Sequence, residues 1–310
     1  MPGSAGSSWY FLRYIDPNND KELADKELLK HWMPVDLYVG GPEHAVGHLL
    51  YSRMWNRYLY EKGISPVEEP FQKLVHQGMI LGANGIKMGK RYPEFVVNPN
   101  DVVRDYGADT LRLYEMFMGP LEADKPWSEQ GVEGAHRFIE RVYRLYTEGK
   151  IQKQENKNLE KIYHQTVKKV TDDFESLNFN TAISQMMIFV NAIYKEDIFP
   201  YEYACGLLQL LNPLIPFVTE ELWEQLGHNE SIANSAWPIY DEEKTVNETF
   251  ELVVQVNGKV RGKITVDTNT TKEEMEAKAL EIENVKKHLD GLTIIKIVTI
   301  PGKLVSIVAK

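Results

Sequence analysis

The sequence predicts an α/β segment over residues 1–120, an all-α bundle over 121–245 and a small α+β module over 246–310. Three observations lead there. In the first stretch a short apolar run, Asp36 to Val39, ends at Gly40-Gly41 and is followed by a helical repeat and a second apolar run. Strand, glycine turn, helix, strand is the order of an α/β nucleotide-binding unit. In the second stretch apolar residues recur at every third or fourth position. In the third, Asn257-Gly258 stands between two strand-like runs, the strongest short-range hairpin signal.

Taken in order, Asp36–Val39 reads as a buried strand, and Ala45–Tyr60 as a helix with Leu49, Leu50, Met54, Trp55 and Leu59 at helical spacing. Lys73–Leu81 reads as one strand entering the loop Gly82-Ala83-Asn84-Gly85. Asn98-Pro99-Asn100-Asp101 supplies a turn and a helix start, and Ala108–Met118 continues helically. Ser128 is placed to cap a helix whose stripe is Val132, Ala135, Phe138, Ile139, Val142, Leu145 and Tyr146. Ile162–Phe174, Thr181–Tyr194, Tyr203–Leu211 and Val218–Leu226 complete a bundle with short connections. Trp237-Pro238 and Asp241–Lys244 read as a linker. The last module reads strand Leu252–Val256, strand Val260–Val266, one helix Thr271–Leu289, then strands Thr293–Ile300 and Lys303–Ala309 around Pro301-Gly302.

Composition excludes several classes. Of 310 residues, 43% are apolar and 26% charged, which is globular rather than disordered or fibrous. The net charge of −10 argues against a non-specific nucleic-acid coat. The charge is uneven: from Val246 onward there are 10 basic and 9 acidic residues, so the acidity lies in the body. A single cysteine, Cys205, rules out intramolecular disulfides, Cys-rich zinc sites and iron–sulfur clusters. No apolar run reaches membrane-spanning length, and the N-terminus lacks an apolar signal core, so the expectation is a soluble, cytoplasmic protein without a membrane partner.

Four segments could carry chemistry. Gly40-Gly41-Pro42-Glu43-His44-Ala45-Val46-Gly47-His48 puts glycines after a strand, where a ligand can approach the backbone, and a carboxylate beside them that can accept from ribose hydroxyls. His44 and His48 are four apart, on one face if helical. That spacing allows a metal pair or structural histidines, but the order of Glu43 and the histidines favours pocket lining. Lys87-Met88-Gly89-Lys90-Arg91 suits a mobile phosphate clamp; on its own it is more simply a solvated basic loop. Ser7-Ser8-Trp9-Tyr10-Phe11 could shape a pocket or form a core strand. Arg137, Arg141 and Arg144 form a basic stripe, a solvated face or an RNA contact.

In that order, Gly-Gly-x-Glu-His-Ala-x-x-His-Leu-Leu-Tyr, Gln-Gly-Met-Ile-Leu, the Lys-Met-x-Lys signature and Tyr-Gly-Ala-Asp-Thr-Leu-Arg-Leu-Tyr resemble bacterial leucyl-tRNA synthetase, a class I aminoacyl-tRNA synthetase. The likeness continues through Trp127-Ser128, Asn178–Ala182, Leu211-Asn212-Pro213 and Trp237-Pro238 to Val254–Arg261. It covers essentially the whole chain, and the ordered set is specific where any one motif is weak.

The resemblance implies a partial Rossmann-type catalytic segment, a helical anticodon-binding-type bundle and a small tRNA-contacting end domain. It implies leucine activation by ATP, with Mg2+ accompanying the ATP, no structural metal, and transfer to tRNA(Leu). It also implies that the chain is the C-terminal portion, with the first catalytic half as a missing partner and the editing domain absent, so that the chain alone is inactive. Carried over by position, Ser7, Tyr10, His44 and His48 line the leucine pocket. Gly41, Glu43, Met79, Ile80, Lys87, Met88 and Lys90 bind ATP, with Glu43 on the ribose and Lys87 and Lys90 acting in catalysis. Arg137, Arg141, Arg144, Lys259, Arg261 and Lys263 contact tRNA. Gly89 and Arg91 stand where the signature usually has serines. The rival readings are a non-catalytic tRNA-binding module and a synthetase for valine or isoleucine.

Overall fold

The computed structural model describes residues 2–246, 249–267, 270–300 and 302–310. They form two compact units, Met1–Ile239 and Tyr240–Lys310. The stretches 1–120 and 121–239 thus lie within one unit.

The first unit opens with two 3₁₀ turns and the short helices α1 (Tyr10–Arg13) and α2 (Lys26–Trp32). Asp25 caps α2 through the backbone N–H groups of Glu27 and Leu28. Strand β1 (Val35–Gly40) is followed by a 3₁₀ turn, Pro42–His44, then α3 (His48–Glu61) and β2 (Phe71–His76). β2 lies parallel to β1, with Val35 opposite Phe71 and Gly40 opposite His76. A parallel pair needs a crossover, and α3 supplies it. Leu12, Ala24, Leu29, Met33 and Leu59 form the small core beneath.

Two expectations change here. The helix expected from Ala45 starts only at His48, because Gly47 leaves helical geometry at φ −107° and ψ −116°. His44 sits on the 3₁₀ turn instead, so the two histidines do not share a helix face. The strand expected over Lys73–Leu81 is broken: β2 ends at His76 and a separate β3 (Ile80–Leu81) follows. Gly78 explains the break. Its N–H donates to the Leu121 carbonyl, and a Cβ there would lie 2.1 Å from the Ala123 oxygen. The chain therefore turns off β1 and presses against the segment around residue 123.

Helices α4 (Pro99–Tyr106) and α5 (Ala108–Phe117) follow, then β4 (Lys125–Pro126), parallel to β3. Asn98 caps α4 with Pro99 at the first position, where a missing N–H costs nothing. The bundle comprises α6 (Glu129–Thr147), α7 (Lys157–Glu175), α8 (Phe179–Ile193), α9 (Tyr201–Leu211) and α10 (Pro216–Gln225), with the short parallel pair β5 (Ile151–Gln152) and β6 (Phe199–Pro200). Ser128 caps α6 by accepting from the Gly131 N–H at 3.2 Å. Val132, Ala135, Phe138, Ile139, Val142 and Leu145 are buried, as their spacing predicts, and each but Ala135 contributes about 1.5–3 kcal/mol where fully covered. Close approach at α9 depends on Gly206: a Cβ there would lie 2.2 Å from the Tyr163 hydroxyl.

The bundle is tied to the α/β part through α5. Ile215, at the N-cap of α10, has no side-chain oxygen, so Asp109 caps that helix from 109 positions away. Its carboxylate accepts from Val218 N–H at 2.8 Å and Phe217 N–H at 3.4 Å. One turn along α5, Arg112 donates to the carbonyls of Pro213 and Leu214.

The second unit contains α11 (Glu242–Thr245), β7 (Thr249–Val256), β8 (Lys259–Asp267), α12 (Lys272–Glu281), α13 (Glu283–Leu289), β9 (Ile294–Ile300) and β10 (Leu304–Ala309). Its sheet runs β8-β7-β10-β9, with β10 parallel to β7 and the other neighbours antiparallel. Asn257 and Gly258 have φ of 47° and 77°, the pair of positive values a two-residue hairpin needs. The single helix expected over Thr271–Leu289 is two. Ile282 adopts φ −60° and ψ 123° and packs on Gly262, where a Cβ would meet it at 2.9 Å. Thr271 and Glu274 form a capping box on α12. Leu252, Val254, Val256, Val266, Met275, Ala279, Val285, Val305 and Ile307 make the core. Of the turn expected at Pro301-Gly302, Pro301 lies outside the described residues.

Candidate functional site

A cleft of about 270 Å³ opens in the first unit at the carboxyl end of β1. Gly41, Glu43, Met79 and Ile80, all singled out in the sequence, line it together. The end of a parallel strand is where α/β sheets place ligands. Gly41 is buried, and a Cβ there would lie 2.4 Å from Glu43 Oε2, so glycine lets that carboxylate fold back over the strand end. On the opposite wall Met79 is fully engaged. Its N–H donates to Asp124 Oδ1 at 2.6 Å, and its carbonyl accepts from Lys125 N–H at 3.0 Å. Leu81 accepts from Trp127 N–H at 2.9 Å. In a parallel pair these bonds alternate, so the N–H and C=O of Ile80 lie on the edge away from β4. That same edge carries the Leu81–Lys87 bridge, in which the Gly82 N–H donates to the Ile86 carbonyl at 2.8 Å.

Two further charged side chains line the cleft, and sequence reading missed both: Glu115 and Lys125. Burial raises the Glu115 carboxyl above its ordinary value and lowers the Lys125 ammonium below its own. The only sequence signal for Glu115 was a charge beside the apolar Tyr114 and Met116 of α5. Lys125 carried none.

Ser7, Tyr10 and His48 meet beside β1. His48 is 8% exposed, and both ring nitrogens are engaged, Nε2 with the Ser7 carbonyl and Nδ1 with the Tyr38 hydroxyl, each at 2.9 Å. A carbonyl can only accept, so Nε2 carries the hydrogen and Nδ1 accepts from Tyr38. Burial pushes the imidazole below its ordinary value, favouring this neutral form. With both nitrogens committed, His48 offers no lone pair to a metal. The rings of Tyr10, Tyr38, Phe11, Phe71 and Tyr51 surround it at 5.3–6.3 Å. Ser7 enters through its carbonyl, while its hydroxyl turns back to Ser4. His44 is exposed, close to Gly40.

The loop of Lys87, Met88 and Lys90 leaves β3 through a bridge between Leu81 and Lys87. Met88 Sδ accepts from Val97 N–H, which anchors the loop, while Lys87 and Lys90 are exposed and stand outside the cleft lining. Of the basic stripe on α6, Arg137 pairs with Glu133, and Arg141 donates to Asn191 and stacks over Tyr194; Arg144 is exposed. In the second unit a bulge separates the basic residues of β8. Lys263 is opposite Val253, but Lys259 is opposite Val256, a core-side position, and Arg261 is the extra residue between. Opposed residues share a face, so Lys259 and Lys263 lie on different faces. Lys263 also pairs with Glu251 at 2.9 Å.

Comparison with known proteins gives two family matches. Residues 16–128 match the class I tRNA synthetases (I, L, M and V), and residues 156–276 match the anticodon-binding domain of tRNA ligases. Among solved structures, the agnB2 leucyl-tRNA synthetase of Agrobacterium radiobacter K84, in a ternary complex with tRNA and LeuAMS, matches with a TM-score of 0.81 and 31% identity. That match covers 98% of this chain and 42% of the other, so the chain spans less than half the length of this relative. Methionyl-tRNA synthetase of Mycobacterium tuberculosis, in complex with methionyl-adenylate, matches at a TM-score of 0.49 and 14% identity over 69% of this chain and 47% of its own. That likeness is too remote to carry an argument.

Proposed function

Since the chain belongs to the class I tRNA synthetases and corresponds to the C-terminal portion of a leucyl-tRNA synthetase, we propose that it supplies the ATP-binding wall and the tRNA-binding modules of a leucine–tRNA ligase. The observation that carries this is the cleft itself: Glu43, whose carboxylate could accept from ribose hydroxyls, lines one volume with Gly41, Met79 and Ile80. Adenine would lie against Met79 and Ile80, and the ribose hydroxyls would bond to Glu43. Gly41 lets the ligand approach β1. Lys87 and Lys90, with Met88 as the loop's anchor, would swing in when the phosphates arrive, stabilising charge that develops on pyrophosphate. Mg2+ would enter with the ATP.

Leucine would lie near the aromatic group around His48, with Ser7, Tyr10 and His44 on its border. A neutral, hydrogen-bonded imidazole suits an apolar side chain better than a cation would. Arg137, Arg141 and Arg144, with Lys259, Arg261 and Lys263, would contact tRNA(Leu) phosphates. The domain roles follow as a catalytic segment over 1–120, a helical tRNA-binding bundle over 121–245 and an end module over 246–310. The partner would be the first catalytic half of a synthetase, and the setting that of protein synthesis in the cytoplasm. Among the described residues no helix is long and apolar enough to cross a membrane.

The test is leucine-dependent ATP–pyrophosphate exchange, with the purified chain alone and after addition of a first catalytic half. Exchange should need both parts and fall at least 100-fold with Lys90→Ala. Exchange driven by valine or isoleucine rather than leucine would overturn the substrate assignment.

A further inference from the structure

A second cavity, of about 330 Å³, lies where α5 meets the bundle. Met116 of α5, Phe174 near the end of α7, Phe179 at the start of α8 and Leu214 from the α9–α10 turn give it an apolar wall. Arg112 and Glu115 bring it one charge of each sign. Ligand pockets run from about 300 to 1,000 Å³, so this volume suits one small molecule rather than a nucleotide or a peptide.

The apolar wall is held in place. The rings of Phe174 and Phe179 meet edge to face at 5.5 Å. Trp237 backs Phe174 at 5.7 Å, and its own Nε1 donates to the Thr171 hydroxyl at 2.9 Å. The turn that joins α7 to α8 passes through Leu177 at φ 60°, left-handed backbone that a leucine rarely adopts. Such strain persists only where the surroundings fix it, and it gathers at ligand sites.

The two charges are not used on each other. Arg112 and Glu115 are three apart on one face of α5, a spacing at which opposite charges can pair. Arg112 turns instead to the α9–α10 turn, where Nε donates to the Leu214 carbonyl at 3.1 Å and Nη2 to the Pro213 carbonyl at 2.8 Å. Its Nη1 is left uncommitted. Glu115 has no hydrogen-bond or ion-pair partner among the described residues, and burial is what acts on its carboxyl. A half-buried carboxylate without a partner is costly, and a cation in the cavity would offset that cost.

We propose that this cavity binds a free α-amino acid with an apolar side chain. Its ammonium would meet Glu115, its carboxylate the spare N–H groups of Arg112, and its side chain Phe174, Phe179 and Leu214. The class of ligand follows from the wall. An apolar amine alone would face the like charge of Arg112, and an apolar carboxylate alone that of Glu115; a zwitterion answers both. Nothing here depends on the nucleotide assignment of the neighbouring cleft, although Glu115 and Met116 line both volumes.

The experiment measures, by calorimetry on the full chain, the binding of L-phenylalanine, of phenethylamine, which lacks the carboxylate, and of 3-phenylpropanoate, which lacks the ammonium. Phenylalanine should bind, and each analogue at least tenfold more weakly, since one hydrogen bond to a charged group is worth roughly 10- to 100-fold in affinity. Glu115→Gln should weaken phenylalanine by a similar factor without weakening 3-phenylpropanoate. Independently of any variant, nuclear Overhauser effects should connect the ring protons of bound phenylalanine to the methyl groups of Leu214, which lines this cavity and not the cleft. Absence of saturable phenylalanine binding overturns the proposal, as does equal binding of all three probes, the mark of an apolar pocket only. So does a bound phenylalanine that shows no contact with Leu214, or a Glu115→Gln chain that discriminates among the probes as the wild type does.

Discussion

Replacing Asp109 by Ala should loosen the joint between the cleft-bearing helix α5 and the bundle. Asp109 is 5% exposed and satisfies two orphan N–H groups at the start of α10, where Ile215 cannot. Losing a helix cap costs about 1 kcal/mol, and a hydrogen bond to a charged group about 1.5–3 kcal/mol. Against this stands the desolvation of a buried carboxylate, which Ala relieves. The expected net loss is about 2 kcal/mol, or roughly 4–8 °C in melting temperature for a unit of this size. Burial, the dominant influence, raises the native carboxyl above its ordinary value, so the folded protein holds this proton to higher pH than the unfolded chain does. That linkage favours folding below the ordinary carboxyl value of 3.8 and is lost as pH rises through the raised native value. The stability gap between wild type and Asp109→Ala should therefore be wider near pH 4 than at pH 7. The assay is urea unfolding followed by far-ultraviolet circular dichroism at both pH values. A variant as stable as wild type, or a gap that widens toward pH 7, refutes the reasoning.

Gly78→Ala drives a Cβ into the Ala123 carbonyl and should cost about 1–3 kcal/mol in urea unfolding while weakening nucleotide binding, since Met79 and Ile80 follow directly. Gly89→Ser should be neutral, within about 0.5 kcal/mol, because nothing lies within 4 Å of a Cβ there and the residue needs no left-handed backbone; thermal melting checks it. His48 should titrate below its ordinary value of 6.5 in proton NMR. Because the unfolded chain binds that proton more readily, stability should fall as pH drops from about 6.5 toward the lowered native value, and His48→Phe should remove that slope.

What was legible in the sequence was local. Asn257-Gly258, the Ser128 cap and the α6 stripe depend on neighbours a few positions away, and each stands where spacing put it. The Gly-Gly-x-Glu turn is local too, and its Gly41 and Glu43 both line the cleft. Two breaks and one cap that spacing did not foresee share a cause. The break at Gly78 is dictated by residues 121–124, the break at Ile282 by Gly262, and the cap of α10 by Asp109. None of these pairings leaves a periodic trace. His44 and His48 were placed on one helix by spacing alone, and Gly47 separates them. Glu115 and Lys125 reached the cleft through the packing of α5 and β4, which no motif announces.

Competition between ATP and 2′,3′-dideoxy-ATP tests most directly whether Glu43 and Ile80 line a nucleotide site. A charge-assisted bond from ribose hydroxyls to Glu43 would contribute about 1.5–3 kcal/mol, roughly 10- to 100-fold in affinity. Equilibrium binding to the wild-type chain should show that preference for ATP, and Glu43→Gln should erase most of it by weakening ATP while leaving the dideoxy analogue unchanged. A variant that prefers ATP as strongly as wild type does, or a wild-type chain indifferent to the ribose hydroxyls, would contradict the account.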